Sequence, residues 1–319
     1  MFFKNATLFR IAPSILQALV AVQDQSDEQA ATSRATQLDE GLAECKLKPI
    51  GPLDIATYGF VPPFGADTDA LSQTVGNHVL VTLAGEQKIL PPSSINALLA
   101  KKIAEFEAKE GRRPGGKTRK RLKDEIITDL LPKALTKPSR TNAILNTETG
   151  FIAVDTTSRK VAEQVISEIR RAVGSLPALP LNAEVAPRSV LTAWVAGEAL
   201  PEGVSLGDEA ELRDPVDGGA VVKCKGQELL SDEIAKHLES GKQVTRLALY
   251  LDDHVSFSVD ESLSVRKIRL LDGAVESLES VERDDLQAEL QARLMLMGAE
   301  LERLCAVLEP AFDLSSAEG

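Results

Sequence analysis

SSINALLAKKIAEFEAKEGRRPGGKTRKRLKDEIITDLLPK, residues 93–133, changes the rhythm of the chain from short apolar runs to a helical period. Ile95, Leu98, Leu99, Ile103 and Phe106 recur at three-to-four spacing behind Ser93-Ser94, and Gly111 supplies a stop. A second helix begins near Thr118 and keeps Leu122, Ile126, Leu130 and Leu131 on one stripe until Pro132 breaks it. The two predict a helical hairpin. Its connection sets Gly111, Pro114, Gly115 and Gly116 beside Arg112, Arg113 and Lys117, so charge gathers at the tip.

That charge is out of character for the molecule. Residues 101–140 hold thirteen Lys and Arg against six Asp and Glu, inside a chain of formal net charge −12. A uniformly acidic protein is repelled by nucleic acid, whereas one concentrated basic surface can hold a phosphate backbone while the rest stays soluble. Between Lys101 and Lys123 there are ten cations and three acids, more than local pairing neutralises. The candidate phosphate contacts here are Lys101, Lys102, Arg112, Arg113, Lys117, Arg119, Lys120, Arg121 and Lys123, flanked by Lys88, Lys133, Lys137 and Arg140. Few aromatics interleave with them, which favours contact with a duplex backbone over stacking on single-stranded bases.

Working outward, Phe2 to Ile11 alternates as a strand, Pro13-Ser14 opens an apolar helix to Val22, and Gln23 to Thr36 is a polar interval. Gly51 to Pro92 is dense in turn residues and β-rich. After the hairpin, Ala143–Leu145 and Phe151–Asp155 flank a turn, and a capped helix runs from Ser158 to Gly174. The Pro-rich Leu176 to Leu181 marks a boundary. Beyond it lie a strand from Gly218 to Lys225, a short helix from Ser231 to Ser240, and a meander of Val244–Leu251, Val255–Val259 and Val265–Leu271. A long helix from about Asp284 closes the chain, with its stripe from Leu286 to Leu308 reading as core or dimer contact. The fold class is α+β: a central domain in two parts (1–92 and 138–181), a helical-hairpin tip (93–137) and a base domain (182–319) with an antiparallel sheet.

With 319 residues and 43% apolar content the chain has enough material for two or three cores. No apolar run approaches a membrane span, and the start reads into a strand and not a signal peptide, so an intracellular, soluble protein is expected. Cys45, Cys224 and Cys305 are far apart and odd in number, which predicts reduced thiols; His78, His237 and His254 are isolated, so no metal and no cofactor are expected.

The main enzymatic alternative is a nucleotide hydrolase. Gly111 to Thr118 satisfies the phosphate-loop pattern Gly-x4-Gly-Lys-Ser/Thr, with Lys117 and Thr118 in the decisive places and Phe151–Asp155 as a possible acidic strand end. Such a loop must leave a buried strand, yet Ala104 to Glu110 is a charged amphipathic helix, and Pro114 removes an amide from the cradle. A further alternative is a scaffold whose basic tip binds an acidic protein.

The residues also resemble the bacterial recombination-associated RdgC family. The resemblance is carried by Phe3-Lys4-Asn5 with Arg10, by Gly59-Phe60-Val61-Pro62-Pro63 followed by Asp69-Ala70-Leu71, and by Lys88-Ile89-Leu90-Pro91. It continues through Leu122–Ile126, Leu130–Ala134 and Gly174–Pro177, then Leu191–Val195, Asp208–Leu212 and Gly241–Leu249. It implies a non-enzymatic, nucleoid-associated protein of the cytoplasm that forms a ring-shaped homodimer around double-stranded DNA, without sequence preference, and restrains the RecA recombinase. It also implies base-domain contacts from Lys223, Lys225 and Gln227. Two positions depart from the family pattern: Leu135 stands where an aromatic is common, and Gly226 where a second lysine often follows.

Overall fold

The computed structural model describes residues 3–20, 36–65, 68–216, 219–276 and 286–314. It is an α+β protein whose chain separates into two compact units, the first comprising Met1–Cys45, Pro62–Thr82 and Thr141–Gly319, the second Lys46–Val61 and Leu83–Arg140. The polar interval after Val22 lies outside the described residues, apart from Thr36.

In the first unit β1 (Asn5–Arg10) is the strand around which the rest is ordered. Thr7 to Arg10 pair antiparallel with β6 (Phe151–Val154), while Asn5 and Ala6 pair with β12 (Val265–Leu270). From β12 the order continues through β11 (Val255–Asp260), β10 (Gln243–Leu251) and β8 (Val204–Arg213) to β9 (Val221–Lys225). The three predicted meander strands are present, each within a residue or two of its expected ends. β8 is a strand that the sequence pattern did not signal. Period-two alternation still governs it: Ala210 and Leu212 face the core, while Glu209 and Glu211 face away.

Two helices cover one part of this unit. α2 (Gln37–Glu44) starts with a capping box in which Thr36 and Asp39 satisfy each other's backbone amides, and α5 (Arg159–Val173) is capped by Ser158 and buries Val165, Ile166 and Ile169. α6 (Pro187–Val195) packs on β10, and its Trp194 meets Phe312 of α9 (Leu286–Phe312) edge-on at 5.6 Å. The Leu stripe of α9 is core from Leu294 onward: Leu294, Leu301, Leu304 and Leu308 are buried, whereas Leu286 at its start is 63% exposed. Gly298 of the same helix is a notch for the ring of His78, and a Cβ there would come within 2.4 Å of its Cγ and Cδ2. His78 starts β4 (His78–Lys88), is 4% exposed, and lies 3.3 Å from Asn146 and 3.6 Å from Glu302.

The second unit holds β2 (Ala56–Val61) next to the Leu83–Lys88 half of β4, which is next to the Thr136–Arg140 half of β5 (Thr136–Asn146). Between those strands stand α3 (Pro92–Glu110) and α4 (Gly116–Leu130), followed by a 3-10 turn at Leu131–Lys133 that Pro132 enforces. The predicted hairpin is therefore present, within two residues at each end.

Candidate nucleic-acid interface

α3 and α4 pack through Ile95 and Leu99 on one side and Leu122 and Ile126 on the other, which commits the apolar stripe of each helix and leaves the remaining arc to charge. Gly111 ends α3 with φ 69°, the left-handed conformation that only glycine adopts without strain, and its amide donates to the Glu107 carbonyl at 2.9 Å. α4 then begins at Gly115 with no side-chain cap and no acid in its first turn; Lys117 and Arg119 stand there instead. Cations at a helix N-terminus oppose the helix dipole by about 0.3–1 kcal/mol each. This arrangement works against helix stability, and an anion at the tip would relieve it.

The charge of the molecule divides along the same line as its packing. The second unit carries sixteen Lys and Arg against eight Asp and Glu, a balance of +8, and the first carries twenty against forty, a balance of −20. Within the tip, Lys102 lies 3.6 Å from Glu125 and 3.7 Å from Asp129, Arg113 is 3.4 Å from Glu107, and Arg121 is 3.5 Å from Glu125. Lys101, Arg112, Lys117, Arg119, Lys120 and Lys123 are exposed and form no ion pair with a described carboxylate. Lys133, Lys137 and Arg140 are exposed as well, on the chain leaving the hairpin.

Lys88 is the exception and requires a correction. It is 8% exposed, and its Nζ donates to the carbonyls of Pro52 at 2.6 Å and Leu131 at 2.7 Å. An ammonium satisfied inside the unit is not presented to a phosphate, so Lys88 ties the 51–55 loop to the foot of the hairpin. Its backbone amide reinforces the tie by donating to Ile55, and Ile89 in turn donates to Leu135. Leu53, Ile55, Ile89 and Leu135 all remain exposed around this junction, Leu135 by 78%.

Of the second group of predicted residues, Lys223 and Lys225 lie on the solvent face of the β8–β12 sheet, whereas Gln227 follows β9 and is off the strand. Glu209 is directly opposite Lys225 and Glu211 directly opposite Lys223 in the β8–β9 register. Glu211 is 3.4 Å from Lys223 and from Arg213, and 3.7 Å from Arg246; Gln227 donates to Glu233 at 2.8 Å. The structure thus places Lys223 and Lys225 together, and adds Arg246, Lys267 and Arg269, which the sequence reading passed over. The missed signal was the period-two run Glu209-Ala210-Glu211 facing Lys223-Cys224-Lys225.

The phosphate-loop lookalike follows helix α3, and no strand leads into it, while Gly115 and Gly116 have open space where a Cβ would be. The three cysteines are free, with Cys224 and Cys305 buried and the thiol of Cys305 pushed far up by burial. Among the described residues no three His, Cys, Asp or Glu side chains are grouped to hold a metal, and no helix is long and apolar enough to cross a membrane.

Comparison with known proteins adds a decisive observation. A family model described as "Putative exonuclease, RdgC" matches residues 1–315. The recombination-associated proteins RdgC of Xanthomonas campestris pv. campestris (strain B100) and Xanthomonas axonopodis pv. citri (strain 306) are each 54% identical over 319 residues, covering all of both chains. The chain belongs to the RdgC family of recombination-associated proteins. The RdgC of Stenotrophomonas maltophilia (strain R551-3) is 48% identical over the same full length.

The family match therefore spans the basic hairpin and the charged sheet face alike, and the resemblance carried by Gly59–Pro63, Leu130–Ala134 and Gly241–Leu249 is borne out. Leu135 is the most exposed apolar side chain of the junction, and Gly226 has φ 62° in the turn that ends β9.

Proposed function

We propose that this RdgC is a non-catalytic, sequence-independent duplex-DNA-binding protein that acts as a ring-shaped homodimer around DNA and restrains the access of RecA recombinase. In this reading residues 1–92 and 138–181 form the central domain, 93–137 the tip and 182–319 the base, and the protein works on the nucleoid in the cytoplasm. The observation that carries it is the balance of +8 on the second unit of a chain otherwise at −20. Phosphate contact is assigned to the exposed tip cations, with Lys223 and Lys225 as a second set; none of these reads base edges. The exposed quartet Leu53, Ile55, Ile89 and Leu135 supports the self-association part, because so apolar a junction needs a cover and a second copy supplies one by symmetry.

Gel shift with random duplex DNA tests the reading. If about six phosphates are neutralised, log affinity falls with log salt at a slope of about −5, and sequence hardly matters. A salt-independent or strongly sequence-selective affinity refutes it, and so does binding to an acidic protein in place of DNA. Leu135→Asp is expected to shift sedimentation from dimer toward monomer.

The description of the family model favours a second reading, an exonuclease. Progressive shortening of linear duplex in the presence of magnesium supports it; intact ends after prolonged incubation support the clamp.

A further inference from the structure

The solvent face of the β8–β12 sheet is a concave, charge-filled groove. Its floor is made of small side chains, Ala248 and Ser258, and one cavity of about 200 Å³ opens over them, walled by Lys223, Lys225, Arg246 and Lys267. A second cavity of about 110 Å³ continues it past Lys267 to Arg269 and Tyr250. Lys267 reaches this face through a distortion: its φ is 54°, where the β11–β12 register slips between Ser256 and Ser258. A lysine gains nothing intrinsic from left-handed backbone, so a bulge that re-aims its ammonium into a groove is a built feature.

Two carboxylates occupy the middle of this cationic wall. The Lys267 ammonium donates a hydrogen bond to Glu209, and Glu211 faces Lys223, Arg246 and Arg213. Burial pushes the Glu211 carboxyl up, but the cations led by Lys223 outweigh it and hold it below the usual carboxylate range; the bond from Lys267 does the same for Glu209. Arg246 keeps its Nε buried without an acceptor among the described residues, so the guanidinium is only partly satisfied by Glu211.

We propose that Glu209 and Glu211 are built-in phosphate surrogates: they hold the groove cations in binding geometry, and a phosphodiester backbone entering the groove must displace them. Duplex affinity is thereby set below what the cations alone would give, and the two glutamates are its tuning residues. The inference deepens the duplex-binding reading and rests on it.

The test titrates random duplex with Glu211→Gln and, separately, Glu209→Gln. The second, on the more exposed of the two side chains, decides the matter should the first fold poorly. Each is expected to steepen the salt slope by about 0.9 for every cation it frees, which tightens binding about eightfold per cation at about 0.1 M salt, while Lys223→Gln moves both the other way. Relief of general repulsion alone tightens binding without adding phosphate contacts, so the steeper salt slope is the readout that marks the surrogate role. If wild type binds duplex but the folded glutamine variants bind it equally or more weakly, the surrogate role is overturned and duplex binding stands. If wild type does not bind duplex, both fall.

Discussion

Neutralising one row of lysines on α4 tests the tip directly. Lys117, Lys120 and Lys123 are three residues apart, exposed and without ion pairs to described carboxylates, so they form one row on the helix. Six residues at 1.5 Å rise extend it about 9 Å, and one strand of B-DNA presents a phosphate about every 3.4 Å along its axis, so three ammonium groups face about three phosphates. Each contact contributes about 0.9 to the salt slope. Replacing all three by Gln is therefore expected to flatten the slope by about 2.7 and to lower affinity about 500-fold at about 0.1 M salt. Gln is nearly as good a helix former as Lys, and removing Lys117 relieves the dipole conflict in the first turn, so the melting temperature is not expected to fall. The assay is fluorescence anisotropy of a labelled random duplex between about 50 and 200 mM salt. Lys102→Gln is the control: its ammonium already sits between Glu125 and Asp129, so it changes the slope by well under one contact. A folded triple variant with an unchanged slope refutes the assignment of phosphate contacts to α4.

Other expectations concern the interior. Lys88→Met leaves the Pro52 and Leu131 carbonyls without their donor and is expected to destabilise the second unit by about 2–4 kcal/mol in urea melts, with the duplex salt slope unchanged; a flattened slope would return Lys88 to the phosphate contacts. Gly298→Ala drives a methyl into the His78 ring and is expected to cost about 1–3 kcal/mol; an unaltered melting temperature would mean that the notch is not tight. Burial lowers the pKa of His78 from 6.5 in spite of Glu302, so the unfolded chain binds the extra proton first as pH falls. Stability should decline on acidification below about pH 6.5 until the folded value is passed, and His78→Gln should flatten that decline. An equal decline in wild type and variant would place the acid sensitivity elsewhere.

The hairpin was legible because its two apolar stripes, its glycine stop and Pro132 all pointed the same way. So was α9, whose leucines repeat without interruption. β8 was not, since Gly207, Asp208, Glu209 and Glu211 are poor strand formers, and only their partners in β9 and β10 make them one. α6 likewise lacked a side-chain cap and offered only nine residues. The burial of Lys88 was illegible for a different reason: a lysine beside an apolar Ile-Leu-Pro run looks the same in sequence whether its ammonium meets water or two carbonyls. At the sheet face, the cations of β9 were found through the family, while Arg246, Lys267 and Arg269 became neighbours only through strand order and a bulge.

The unequal division of charge bears on how the protein behaves in the hands of anyone purifying it. Its net charge of −12 predicts retention on an anion exchanger and flow-through on a cation exchanger at neutral pH. A column does not read the average, however; a resin binds whichever surface faces it. Sixteen basic groups against eight in one unit should also hold the folded protein on heparin or phosphocellulose, and release it there as salt rises.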